Sequence, residues 1–211
     1  MRDPVFHDIE QRSDEWFALR LGNLSASRMS DALAKTRSGW GASRDRYATE
    51  LVLERLTGQS KPFIQTADME FGTLTEPEAR SAYEWRTGNE VREIGWVESH
   101  IDNLGCSPDG LVGDSGLVEI KCPASHTHVN TLLNETIDKK YILQMQAQML
   151  VCGRQWCDFV SFDPRLPAEL QYWSKRVHRL PEEEMNTLEQ DCTEFVAYVD
   201  DLEKRLREKM Q

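Results

Sequence analysis

The 211 residues carry 25 Lys and Arg against 36 Asp and Glu, a net charge of −11, and 39% of them are hydrophobic. Such a chain can bury the core of a single domain over residues 1–211, and its acidity argues against holding nucleic acid through bulk positive charge. No stretch approaches the roughly 20 apolar residues of a membrane span, and Met1-Arg-Asp-Pro4 is too polar to open a signal peptide, so a cytoplasmic protein without membrane contact is expected. Five cysteines, an odd number with no Cys-x-x-Cys pair, argue against zinc and iron–sulfur sites. Charge is spread unevenly: Arg20, Arg28, Lys35, Arg37, Arg44 and Arg46 share residues 20–46 with only Asp31 and Asp45. A basic segment in an acidic chain suits a pocket or channel for a polyanion, or a solvated basic loop.

In chain order, Ser13 with Asp14 and Glu15 opens a short helix through Trp16, Leu19 and Arg20, which Gly22 ends. Ser25-Ala-Ser27 leads into a second over Arg28 to Ala34, with Met29, Ala32 and Leu33 at helical spacing. Arg20, Ser25 and Ser27 fall between the two, and an arginine fork beside hydroxyls and a helix N-terminus makes a phosphate receptor. Both serines can also simply cap, which for Ser25 is the better reading. Residues 35–43 are rich in glycine, serine and charge and read as a loop. Ser43 can cap a third helix to about Thr57, with Tyr47, Leu51 and Leu56 as its apolar stripe and Gly58 as its stop. Asp68 can cap a fourth, through Phe71, Leu74, Ala79 and Tyr83 to Gly88, and Pro77 marks a kink in it or the start of its regular part. Val91, Ile94, Trp96 and Val97 suggest one strand over Glu90 to Ser99.

Gly110-Leu-Val112 and Leu117 to Cys122 are apolar runs too short for helices, and Gly113-Asp-Ser-Gly116 between them carries hairpin turn chemistry. Side chains alternate along a strand, so Glu119 and Lys121 share one face while Val118, Ile120 and Cys122 take the other. In simple register Asp109 returns to the neighbourhood of Glu119, which gathers two carboxylates and one ammonium. Two carboxylates and a backbone carbonyl suit Mg²⁺, which keeps water and substrate phosphate as its other ligands, so the hairpin points to phosphodiester cleavage. Lys121 would orient or help deprotonate the attacking water, or neutralise charge on the phosphate. An ordinary hairpin with a surface Glu-Lys pair has the same spacing.

His126 and His128, two apart, could touch metal or phosphate, but read better as a polar pair on a loop. From Asp138 to Val151 a helix sets Tyr141, Gln144 and Gln148 on one face and Ile142, Met145 and Met149 on another; the first face either lines a site or is wet. Trp156 to Phe162 and Leu170 to Val177 are two more strands. Pro181-Glu-Glu-Glu184 then starts a long terminal helix with a stripe of Met185, Leu188, Cys192, Phe195, Val199 and Leu202. The class is α/β, a sheet of about five strands flanked by helices.

Five blocks taken together, Leu19 to Ser27, Phe71 to Glu76, Cys106 to Leu111, Glu119 to Pro123 and Gln144-Met-Gln146, resemble the phage lambda exonuclease family in order and spacing. The resemblance covers nearly the whole chain and implies a restriction-endonuclease-like core with a central mixed sheet. It implies a processive 5′-to-3′ exonuclease that degrades one strand of duplex DNA from its end and leaves a 3′ single strand for annealing. By position, Asp109, Glu119 and the Ile120 carbonyl would hold one Mg²⁺, Glu76 would help hold a second, and Lys121 would act on the nucleophile; Mn²⁺ is an alternative ion. Arg20, Ser27, Ser107 and Gln144 would grip the terminal 5′-phosphate, and Met69 would be a wedge between the strands. The resemblance further implies a homotrimeric ring around DNA, a single-strand-annealing partner and a phage or prophage origin. A structure-specific endonuclease of the same fold, and a DNA-binding module that has lost catalysis, are the competing readings.

Overall fold

The computed structural model describes residues 2–37, 39–60 and 66–210. Numbered along the chain, β1 (Val5–His7), β2 (Leu24–Ser25), β6 (Trp96–Glu98) and β7 (Leu104–Cys106) make a small sheet in the order β1-β6-β7-β2. The central sheet is built from β5 (Val91–Arg92), β8 (Gly110–Val112), β9 (Gly116–Lys121), β10 (Trp156–Phe162) and β11 (Tyr172–His178), in the order β11-β10-β9-β8-β5. It is mixed: β9 and β10 run parallel, the other neighbours antiparallel. This is the five-stranded sheet expected from the sequence. The small sheet was not expected, because strands of two or three residues are too short for an alternation to register.

Helices cover both faces of the central sheet. α4 (Ala67–Thr87) lays Ala79 and Tyr83 on one face, against Val118, Ile120, Val160 and Phe162. α6 (Lys139–Cys152) packs the other, where Met145, Ala147 and Met149 join Leu117, Cys157 and Phe159. The same core extends into α3 (Ala42–Thr57) and the long α7 (Glu182–Glu208), where Phe195 stacks on Tyr47 with ring centroids 5.6 Å apart. The predicted α7 stripe is its buried face, Met185, Leu188, Cys192, Phe195 and Val199, with Leu202 at the edge of the core. Burial of each such side chain contributes about 1.5–3 kcal/mol, so packing holds this helix more than propensity does. No helix among the described residues is long and apolar enough to cross a membrane.

The strand predicted over 90–99 is two strands in two sheets. Val91–Arg92 pairs with β8, the chain turns at Gly95, and Trp96–Glu98 pairs with β1 and β7. A change of sheet leaves the apolar pattern untouched, and only Gly95 marks it: a Cβ there would overlap Ile9. The chain returns to the central sheet over Ser107 to Asp109, between β7 and β8. The Gln11 side-chain amide donates to the Ile94 and Pro108 carbonyls, both at 3.1 Å, and so ties the two crossings together.

Residues 35–43, read as a loop, include a hairpin of β3 (Lys35–Thr36) and β4 (Gly39–Trp40), whose Trp40 ring meets Lys35 and the buried Arg44. α3 begins at Ala42 with Gly41 as its cap, so Ser43 lies inside its first turn. Thr66, not Asp68, caps α4; its hydroxyl accepts from the Met69 N–H at 3.3 Å, and Asp68 adds negative charge to the first turn. Pro77 neither starts nor ends α4. It is exposed, so water can satisfy the Thr73 carbonyl that loses its N–H partner.

Residues 125–134 are a helix, α5 (Ser125–Asn134), not a loop, and it separates the two histidines. His126 is exposed, while His128 is buried, its Nε2 on the Leu170 carbonyl at 2.8 Å and its Nδ1 on the Ser161 hydroxyl at 2.7 Å. A carbonyl can only accept, so Nε2 carries a proton. Neither histidine reaches the site described next.

Candidate active site

The hairpin closes in the simple register. Gly110 faces Val118 and Leu111 faces Leu117, which sets Asp109, one residue earlier, opposite Glu119. Asp109 turns inward, and its Oδ2 accepts the Ile120 N–H at 2.6 Å. Glu119 is fully buried between β9 and α6. Gln144 donates to its Oε1 at 2.6 Å, Gln148 donates to its Oε2 at 2.7 Å, and the Lys121 ammonium also meets Oε1. The glutamine face of α6 is therefore not wet, because α6 is buried all round from Gln144 to Cys152 and both glutamines are spent on Glu119.

Charge in this cluster is mutually dependent. Burial, and then the facing Glu119 carboxylate, hold the Asp109 carboxyl well above the usual carboxylate range. Burial pulls the Lys121 ammonium down, but Glu119 and Asp109 more than offset it, and it stays above the ordinary lysine value. Glu76 enters from α4. Burial raises its carboxyl, opposed by Arg80, Lys121 and Arg12. Arg80 bonds Glu76 Oε1 at 2.8 Å and Glu93 at 2.7 Å.

An open cleft of about 950 Å³ leads to this cluster. Trp16, Phe17 and Arg20 of α1 (Asp14–Arg20) line one wall, Met69 and Glu76 of α4 another, and Lys121 the end nearest the carboxylates. Asp109 and Glu119 do not line the open space but lie behind Ile120 and Lys121. Ser13 caps α1, as predicted, its hydroxyl accepting from the Trp16 N–H. The Trp16 indole N–H reaches the Ser107 hydroxyl at 2.8 Å and the Gly95 carbonyl at 2.9 Å. Arg20 lies over the Trp16 ring at 4.2 Å and near the Trp96 ring at 5.5 Å. Burial lowers its pKa, and it makes no ion pair with a carboxylate among the described residues. A desolvated guanidinium with no carboxylate bonded to it has the chemistry to receive an anion.

Three other basic residues of 20–46 have partners within the chain, and of these Arg28 also lines the cleft. Arg28 pairs with Asp31 at 2.6 Å and Glu50 at 3.1 Å, Lys35 with Asp191 at 3.2 Å, and Arg44 donates to the Ala32 carbonyl at 2.8 Å. Ser25 sits at the start of the 3₁₀ turn Ala26–Arg28, ahead of α2 (Met29–Ala32). Its hydroxyl makes no cap bond and instead meets Ser27 Oγ at 3.0 Å. Ser25 faces the cleft and Ser27 stands one bond behind it.

Thus the structure gathers Asp109, Glu119, Lys121, Gln144 and Glu76 at one end of the cleft and Arg20 with Ser107 at Trp16, and leaves Met69 exposed on the facing wall. Sequence reasoning passed over Arg80, which holds Glu76, and Arg12, which bonds Thr73 across the cleft. Arg12 is set up by a backbone φ of 72°, for which no residue type gives warning.

The donor chemistry fits a hard divalent cation. Two buried carboxylates repel each other, the Ile120 carbonyl is adjacent, and the Gln148 Oε1 oxygen beside them is buried without a donor. Among the described residues no three His, Cys, Asp or Glu side chains form a ready metal cage. An ion such as Mg²⁺ takes one or two carboxylates and fills its other positions with water and phosphate.

Residues 15–155 match the YqaJ-like viral recombinase domain. The alkaline exonuclease LHK-Exo from Laribacter hongkongensis is 43% identical, with a TM-score of 0.87 over 94% of this chain and 98% of that one. Its complex with dAMP superposes equally well. A phage-related exonuclease from Haemophilus somnus 129PT shares the fold at 16% identity, with a TM-score of 0.68 over 90% of this chain and 96% of that one. No curated protein matches. The matched domain spans α1 through α6 and so contains every element that forms the cleft, which makes this chain a member of the YqaJ-like viral recombinase family, the lambda exonuclease family, and a homologue of an alkaline exonuclease.

Proposed function

We propose that this chain is a Mg²⁺-dependent exonuclease that degrades one strand of linear duplex DNA, 5′ to 3′, from a 5′-phosphorylated end. Its product is 3′ single-stranded DNA for an annealing partner in phage-type recombination. One observation carries the reading: Arg20, Trp16 and Ser107 run through Pro108 directly into Asp109, Glu119 and Lys121. An anion receptor joined to a carboxylate–lysine cluster is what end-dependent hydrolysis requires. The alkaline exonuclease relative, and its complex with the mononucleotide dAMP, support it.

In this reading Arg20, Ser27, Ser107 and Gln144 seat the terminal phosphate, and the exposed Met69 parts the strands. Asp109, Glu119 and the Ile120 carbonyl are the residues to hold one Mg²⁺ or Mn²⁺, with Glu76 toward a second. When bound, such ions polarise the phosphate and acidify water. Gln144 and Gln148 fix the Glu119 carboxylate by both oxygens, and the Ile120 N–H fixes Asp109, so little reorganisation is left for the reaction. Lys121, an ammonium in this arrangement, orients the water and neutralises charge developing on the phosphate.

The test is digestion of duplexes labelled separately at each 5′ and 3′ terminus, with and without Mg²⁺. Early release of the 5′ label, only with the ion, is expected. Cutting of a covalently closed duplex would move the assignment to an endonuclease. No cutting under any condition would leave a DNA-binding module.

A further inference from the structure

Phe17 is a large apolar side chain that the core does not use. It is 41% exposed, belongs to neither hydrophobic cluster, and lines the cleft from a helix with no buried residue. Trp16 holds it edge to face, with ring centroids 5.0 Å apart at 76°. Trp16 is itself pinned by the Ser107 and Gly95 bonds, so Phe17 has a rigid mount and an open ring surface. Phe17 and Arg20 are three residues apart on α1 and therefore neighbours, about 5–6 Å between Cβ atoms. That is the scale on which a nucleotide separates its phosphate from its base. An aromatic ring beside a cationic fork is how proteins hold unpaired nucleic acid, by stacking that tolerates every base.

We propose that Phe17 is the stacking platform for the base of the terminal nucleotide whose 5′-phosphate sits at Arg20. The inference rests on the end-recognition reading above and extends it from the phosphate to the base. The ligand is then a whole nucleotide with its base freed from the partner strand, and a frayed end is bound better than a closed one. Stacking carries no sequence preference, as an enzyme that must pass through any sequence requires.

The experiment measures binding of short duplexes to the full chain without divalent ions, by fluorescence anisotropy. The duplexes end in a 5′-phosphorylated nucleotide, in the same nucleotide without its base, or in an unphosphorylated nucleotide. The unmutated protein should bind the base-bearing phosphorylated end about 5- to 100-fold more tightly than the abasic one. Phe17→Ala and Phe17→Leu should lose that discrimination while binding the abasic end as before; Phe17→Tyr should keep it. Leucine preserves apolar contact with Trp16, so a merely structural role predicts that Phe17→Leu behaves normally, which would overturn the proposal. Equal weakening of both phosphorylated ends in Phe17→Ala would overturn it too. If discrimination by the base is absent while the phosphate still matters, only this inference falls. If the phosphate makes no difference in the unmutated protein, the end-recognition reading falls and takes it along.

Discussion

Glu119 shows how much of the site is one residue's environment. A buried carboxylate is costly unless every lone pair is met, and here two amides and an ammonium meet it. Gln148→Leu removes one charge-assisted bond from a group that water cannot reach, and should cost about 1.5–3 kcal/mol in urea unfolding. Asp109→Ala or Lys121→Ala should lower cutting about 10²–10⁴-fold while end binding without metal stays largely intact. Near-normal rates in either variant would show that the cluster is not where hydrolysis occurs. Arg20→Ala should act differently, eroding the preference for phosphorylated over hydroxyl 5′ ends more than the maximal rate.

At the scale of elements, the hairpin was legible because its turn and its alternation specify register together, and register alone sets Asp109 against Glu119. The crossing at Gly95 was not, since Ile94, Trp96 and Val97 are buried whichever sheet receives them. Nor was α5, whose Ser-His-Thr-His and Asn residues are indifferent helix formers and whose anchor, His128, finds its partners on β10 and beyond. The sequence offered Arg20 as a candidate phosphate receptor, but its aromatic bed of Trp16 and Trp96 comes from two distant segments and gave no signal there. The start of α5 also carries a pH-dependent clamp. Burial pushes the Asp163 carboxyl up, but bonds from Arg165 and Ser125 more than offset it and leave it below its ordinary value. A depressed pKa stabilises the fold above the unfolded value of about 3.9, and that stabilisation is lost as pH falls through the folded value. Asp163→Asn should therefore cost about 1–3 kcal/mol near neutral pH, with the gap to the unmutated protein narrowing below about pH 4 in urea titrations.

For the whole molecule, a net charge of −11 and a polyanionic substrate are reconciled if positive charge lines an enclosed path and acid covers the exterior. A closed homotrimeric ring, which the resemblance to the lambda exonuclease family implies, would do this, and sedimentation equilibrium would then give a particle three times 24.4 kDa; a monomer across micromolar concentrations would remove the ring. Within each copy, the crossing from β7 to β8 that Gln11 ties down has a further consequence. Ser107 and Asp109 are two residues apart, so their Cα atoms are separated by at most ~7 Å. On the proposed reading the first touches the phosphate already at the end and the second would hold the ion at the bond about to be cut. The backbone then acts as a ruler, and the fragment released is one nucleotide long whatever side chains furnish the pocket. Substitutions there would change how fast the ruler is used, whereas a residue inserted at Pro108 would change the length it measures.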